Sequence, residues 1–115
     1  MVKVSQILDE LNAKLVCGNT DLNQDINFGF ASDLMSDVLT IDSDNLLLVT
    51  GLNNLQTIRT SEMSDIPYIL FVRDKKASEE MKSLAEESGI TLIECGYSMF
   101  RACSILCKMG LEPVY

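Results

Sequence analysis

The stretch LLLVTGLNN, residues 46–54, decides the fold. Leu46 to Val49 are four apolar residues in a row, and Thr50, Gly51, Asn53 and Asn54 close the run with turn-forming chemistry. A short unbroken apolar run ended in this way reads as a strand buried on both faces. Such strands belong to parallel sheets covered by helices. The polar residues that follow fall where the strand hands over to a helix, the usual place for binding groups in such a sheet.

Working outward, strand and helix alternate. Strand Leu46–Thr50 leads to a helix from about Asn54 to Ser64, and Pro67 opens strand Tyr68–Val72. Ser78 caps the next helix, whose Met81, Leu84 and Ala85 form one apolar stripe. Glu79 and Glu80 sit in its first turn, where the macrodipole favours acids, and Gly89 sits at its end. Strand Ile90–Ile93 follows, then a helix capped by Ser98 and stopped by Gly110. Upstream, Val4–Leu11 reads as a short helix capped by Ser5, with Ile7, Leu8 and Leu11 on one face. Lys14–Cys17 is a short strand before the turn Gly18-Asn19-Thr20. Ile26–Ala31 is another, with Gly29 at a bulge or close approach. Ser32 or Asp33 is expected to cap a helix through Leu39 that buries Leu34, Met35, Val38 and Leu39, and Asp42–Asn45 is a turn. The alternation predicts an α/β fold with right-handed crossovers and a parallel core.

Composition sets the outer bounds. The chain has 115 residues, 47% of them hydrophobic and 23% charged. At this length folding buries about 65% of the unfolded surface, so no metal or disulfide is needed as a staple. One domain over residues 1–115 is expected. The net charge of −8 opposes nucleic-acid phosphates and anionic lipid, so neither is an expected partner. The start, MVKVSQILDEL, lacks an apolar core and carries Asp9 and Glu10, which is not the pattern of a signal peptide. No apolar run approaches the ~18 residues of a membrane span. These readings give a cytoplasmic expectation.

Cys17, Cys95, Cys103 and Cys107 form no Cys-x-x-Cys pair, and the chain has no histidine. Structural zinc and iron–sulfur clusters want four ligands in tighter spacings, so no metal is expected. The thiols read as small buried apolar groups. Without histidine the commonest general base is missing. Ser32-Asp33 and Ser36-Asp37 read as caps and surface residues, and Asp42 and Asp44 as solvated carboxylates of a turn. TGLNN is not a P-loop, because it lacks the second glycine and the Lys-Ser/Thr end. No cofactor motif is present.

Two features carry functional expectations. The loops Thr50–Asn54, Arg73–Lys76 and Glu94–Ser98 leave the carboxyl ends of three expected parallel strands, the edge where open sheets bind ligands. Arg73, Lys75 and Lys76 place three of nine basic residues in four positions. With Thr50, Gly51, Asn53, Asn54 and Ser98 they would suit a phosphate or carboxylate; the alternative is a solvated turn with ordinary caps. The last helix is the second feature. Eight of the eleven residues Met99–Met109 are apolar or cysteine, leaving Arg101, Ser104 and Lys108 as one polar stripe. A helix on one sheet face needs only about 100° of apolar arc. The surplus is covered either by the first helix or by a second copy of the chain. In the second case Met99, Phe100, Ala102, Cys103, Leu106 and Met109 would form the self-association surface.

The runs FGFASDLMSDVL (28–39), LLLVTGLNNLQTIRTSEMSDIPYILFVRDKK (46–76) and LAEESGITLIECGYSMFRACSILCKMGL (84–111) resemble small stand-alone proteins of the DRTGG-domain family. The resemblance runs from about Leu15 to Leu111. Relatives of that domain occur in phosphotransacetylases and between the CBS domains of certain pyrophosphatases. The chain also looks like the N-terminal domain of HPr kinase/phosphorylase and, more remotely, that of Mur ligases. The resemblance implies a three-layer α/β/α sandwich with a mostly parallel central sheet, often dimeric, in a regulatory, ligand-sensing or architectural role. The DRTGG string itself is absent. Thr50-Gly51-Leu52-Asn53 and Val72-Arg73-Asp74-Lys75 stand at the loops where signature residues would be expected. The leading expectation is a non-catalytic regulatory or interaction module acting as a homodimer, with a partner protein as a further possibility. The rival is a sensor of a nucleotide or other phosphorylated small molecule. An enzyme would need a metal or a partner chain to supply the missing groups.

Overall fold

The registers of three neighbouring strands hold the architecture. In a computed structural model covering residues 1–115, Leu46–Thr50 pairs in parallel with Tyr68–Phe71, which pairs in parallel with Thr91–Glu94. Thr50 lies opposite Phe71, and Phe71 opposite Glu94, so three strands end at one level.

In chain order the elements are β1 (Val2–Lys3), α1 (Val4–Glu10), β2 (Lys14–Cys17), β3 (Asp25–Ile26), β4 (Phe28–Ala31), α2 (Met35–Val38) and β5 (Leu46–Thr50). They continue with α3 (Leu55–Met63), β6 (Tyr68–Phe71), α4 (Glu79–Ser88), β7 (Thr91–Glu94), α5 (Met99–Met109) and β8 (Glu112–Pro113). Six strands form the main sheet in the order β2-β7-β6-β5-β4-β8, and β1 pairs with β3 in a separate ribbon. Every pairing in the main sheet is parallel except that of β2 with β7. This is the expected mostly parallel sheet with one antiparallel edge.

The sheet divides the core in two. One face buries Leu47, Val49, Leu70, Val72 and Ile93 against Val4, Ile7 and Leu11 from the α1 region and Ala102 and Leu106 of α5. The other buries Leu46, Leu48, Ile69, Phe71 and Leu92 against Met35 and Val38 of α2, Ile58 of α3, and Met81 and Ala85 of α4. Alternate residues of each strand serve opposite faces, as the pleat requires. All five residues of β5 are buried, which explains why it reads as an uninterrupted apolar run. The result is the three-layer α/β/α sandwich.

Caps set the helix boundaries. Asn54 accepts the Thr57 N–H at 3.0 Å, Ser78 the Met81 N–H at 3.2 Å, and Ser98 the Arg101 N–H at 3.2 Å. Gly89 (φ 72°) and Gly110 (φ 105°) end α4 and α5 in the left-handed conformation that glycine adopts without strain.

Three local expectations are corrected. Ser5 does not cap α1: the helix begins at Val4, Gln6 Oε1 accepts the Lys3 N–H at 2.9 Å, and the Ser5 N–H is spent on Leu22 O at 2.9 Å. The α2 helix is a single turn over Met35–Val38, and Leu34 and Leu39 are 58% and 49% exposed instead of buried. The cysteines are not uniformly buried: Cys17 and Cys95 are, Cys103 is half-buried and Cys107 is exposed. Gly29, by contrast, meets its expected close approach, since a Cβ there would lie 2.7 Å from Leu111 Cδ2.

Candidate functional site

The carboxyl rim of the parallel strands gathers the loops that follow β4, β5, β6 and β7. Asp33 is its anchor. Asp33 Oδ1 accepts the Thr50 hydroxyl at 2.8 Å and the Gly51 N–H at 2.7 Å, which ties the loop after β4 to the loop after β5. Thr50 is fully buried, and its oxygen also accepts the Leu52 N–H at 3.1 Å, so its hydroxyl is used twice within the chain. Asn53 Nδ2 donates to Lys76 O at 2.9 Å and joins the β5 loop to the β6 loop.

The β6 loop is folded back on the β7 loop. Arg73 (φ 59°) and Asp74 (φ 61°) are both left-handed, a conformation that side-chain-bearing residues rarely adopt. It turns their N–H groups toward the neighbouring loop, where Arg73 N donates to Tyr97 O at 2.7 Å and Asp74 N to Cys95 O at 3.0 Å. Below them Glu94, 6% exposed, accepts the Ala77 N–H at 2.8 Å and lies 3.8 Å from Lys76 Nζ. The chain leaves β6 for α4 on one face and β7 for α5 on the other. The crevice between β6 and β7 is therefore the switch point where such sheets most often bind ligands, and these hydrogen bonds close it.

The open part of the rim lies over β5. A methyl group at Gly51 would stand 3.6 Å from Arg73 Nη1 and 3.7 and 3.8 Å from the two oxygens of Asp33. Arg73 and Asp33 thus both border Gly51, yet neither enters any of the four ion pairs of the chain. Lys76 is paired instead with Asp74 at 2.9 Å, and that hydrogen bond holds its ammonium above the usual lysine range. Lys75 is half-buried. Of the neutral groups expected at the rim, the side-chain oxygens of Asn54 and Ser98 serve as helix caps. The Arg101 guanidinium lies 3.9 Å from the centre of the Tyr97 ring, covering the β7 loop.

Sequence reasoning missed the roles of Asp33 and Glu94. Asp33 was read as a cap, and the signal for Glu94 was a carboxylate ending the apolar strand TLIE. No three His, Cys, Asp or Glu side chains converge into a metal-binding group.

The second feature is α5. Ala102 and Leu106 are buried in the subunit's own core, while Met99, Cys103 and Met109 pack at its margin, half-buried. Phe100 is 88% exposed. Phe100, Cys103 and Cys107 follow one another at helical spacing along one flank. Beside it lies a cavity of about 110 Å3 floored by Gly29, Ala31 and Val49 and walled by Cys103, Cys107 and Pro113. No helix of the chain is long and apolar enough to cross a membrane.

No family profile matches the chain, and no curated protein matches it. Among the solved structures that match is one with the same fold at 16% sequence identity and a TM-score of 0.79. It is that of the CBS and DRTGG domains of the regulatory region of Clostridium perfringens pyrophosphatase, complexed with its activator diadenosine tetraphosphate. The similarity covers 93% of this chain and 46% of that one, so the chain spans about half the length of its structural neighbour. The fold is DRTGG-like, as the sequence runs implied.

Proposed function

We propose that this chain is a non-catalytic regulatory module that acts as a homodimer through the outer flank of α5. The observation that carries the reading is Phe100, a large aromatic side chain left 88% exposed one helical turn before Cys103, which lines an apolar cavity. Exposed aromatic groups next to apolar concavities are typical of interface anchors. Phe100, Cys103 and Met99 would meet the second copy, with Ala102 and Leu106 supporting the helix from inside; Met109 lies on the opposite flank beside Gln6, Asp9 and Glu10 and is left out of that surface. The regulatory assignment is supported by the fold shared with a regulatory region and by the lack of any convergent acid–base or nucleophilic group. Four free cysteines and a rim of ordinary hydrogen bonds fit a cytoplasmic setting. Sedimentation at micromolar concentration tests the reading. A dimer is expected for the natural chain and a monomer for Phe100→Ser. A monomeric natural chain would overturn it.

A second reading is favoured by Arg73, whose guanidinium has no carboxylate partner at the rim. In this reading the rim binds a nucleotide or other phosphorylated small molecule, with Arg73 and Lys75 on the phosphate and Thr50, Gly51, Asn53, Asn54 and Ser98 shaping the loops. Thermal-shift screening with phosphorylated ligands should raise the melting temperature of the natural chain and not that of Arg73→Ala.

A further inference from the structure

We infer that Asp33 and Arg73 form the two prongs of one clamp, which takes a phosphate monoester carrying a hydroxyl group near its phosphate. The inference rests on the rim-binding reading and adds a second recognition element to it. Arg73 Nη1 and the Asp33 carboxylate both stand within van der Waals reach of the small volume that a Cβ on Gly51 would occupy. They carry opposite charges, yet they are too far apart to pair directly. A side chain at residue 51 would fill that volume, and glycine leaves it open. The carboxylate is held in place: Thr50 and Gly51 both donate to Oδ1, which leaves Oδ2 as a fixed acceptor. Arg73 is fixed at its backbone by the 2.7 Å hydrogen bond to Tyr97 O.

The pairing of charges sets the class of ligand. An anion alone would gain from Arg73 and lose by facing Asp33, in a protein whose net charge is already −8. A ligand that offers an O–H to Asp33 while its phosphate meets Arg73 turns the repulsive neighbour into a charge-assisted hydrogen bond. Sulfate, an anion with no O–H at neutral pH, is therefore a poor ligand and a sugar phosphate a good one.

Calorimetric titration of the full chain with sulfate and with ribose 5-phosphate tests the clamp. The natural chain should bind ribose 5-phosphate about tenfold more tightly than sulfate, the worth of one hydrogen bond to a charged group. In Asp33→Asn the amide oxygen still accepts from Thr50 and Gly51, so the loop is retained. The repulsion is gone, and the ratio should fall toward one. Gly51→Ala has room for its methyl and should stay folded, yet should weaken ribose 5-phosphate binding at least about tenfold by occupying the gap. Equal binding of both probes, lost in Arg73→Ala, would overturn the role of Asp33 and leave the rim reading standing. A preference unchanged in Asp33→Asn would do the same. Binding of neither probe would overturn both.

Discussion

Glu94 reaches from the end of β7 to the backbone of Ala77, accepting its N–H at 2.8 Å from a position only 6% exposed. This carboxylate holds the descending arm of the β6 loop, while the N–H groups of Arg73 and Asp74 hold the ascending arm. Glu94→Ala leaves a buried donor without a partner. It should lower unfolding free energy by about 1–3 kcal/mol, whereas Glu94→Gln keeps an acceptor and should cost less. Urea unfolding gives the midpoints, and amide exchange at Ala77 should speed up in the alanine variant alone.

Gly29 and Leu111 compete for the same space. A Cβ at residue 29 would stand 2.7 Å from Leu111 Cδ2, so Gly29→Ala forces the leucine to move and should destabilise by about 1–3 kcal/mol. Leu111→Ala alone removes a buried side chain and should also destabilise. Because the two changes meet in one place, the double variant should be more stable than the sum of the single ones predicts. Thermal denaturation of the four chains measures the coupling.

The Cys17 thiol is pushed up to about 11 from an ordinary value of 9.0, by burial first and by the Glu86 carboxylate second. A raised value means that the folded state keeps its proton where the unfolded chain has lost it. The contribution is fully present below pH 9 and is lost as pH rises toward 11. Urea midpoints across this interval should fall for the natural chain and fall less steeply for Cys17→Ala. Exposure orders the thiols in reactivity: Cys107 should be alkylated first under native conditions, and Cys17 and Cys95 only on unfolding.

Local chemistry predicted the fold wherever it acted alone. The helices α3, α4 and α5 begin at Asn54, Ser78 and Ser98 as read, because each cap accepts from the third residue along. The apolar run of β5 announced a strand with both faces covered. Prediction failed where a distant partner took over a local group. Asp33 is drawn from its expected cap to Thr50 and Gly51, so α2 starts later and its flanking leucines stay outside. Ser5 gives its N–H to Leu22. The strands β1, β3 and β8 have two residues each, too few for any periodicity to register. At the rim the sequence located the loops Thr50–Asn54, Arg73–Lys76 and Glu94–Ser98. It did not reveal that two of them are stitched together, since that depends on the left-handed backbone of Arg73 and Asp74.

The short strand β8 has a further consequence. Phe28 and Gly29 of β4 take Glu112 and Pro113 as their outer neighbours, so the two partners are separated by most of the chain. During synthesis β4 emerges early and waits through four helices with one flank bare. Contacts this remote in sequence form slowly, and bare strand flanks recruit other chains. The nascent protein is therefore most prone to aggregate just before Glu112 and Pro113 leave the ribosome, and a substitution that weakens their pairing with β4 would lower the yield of folded protein.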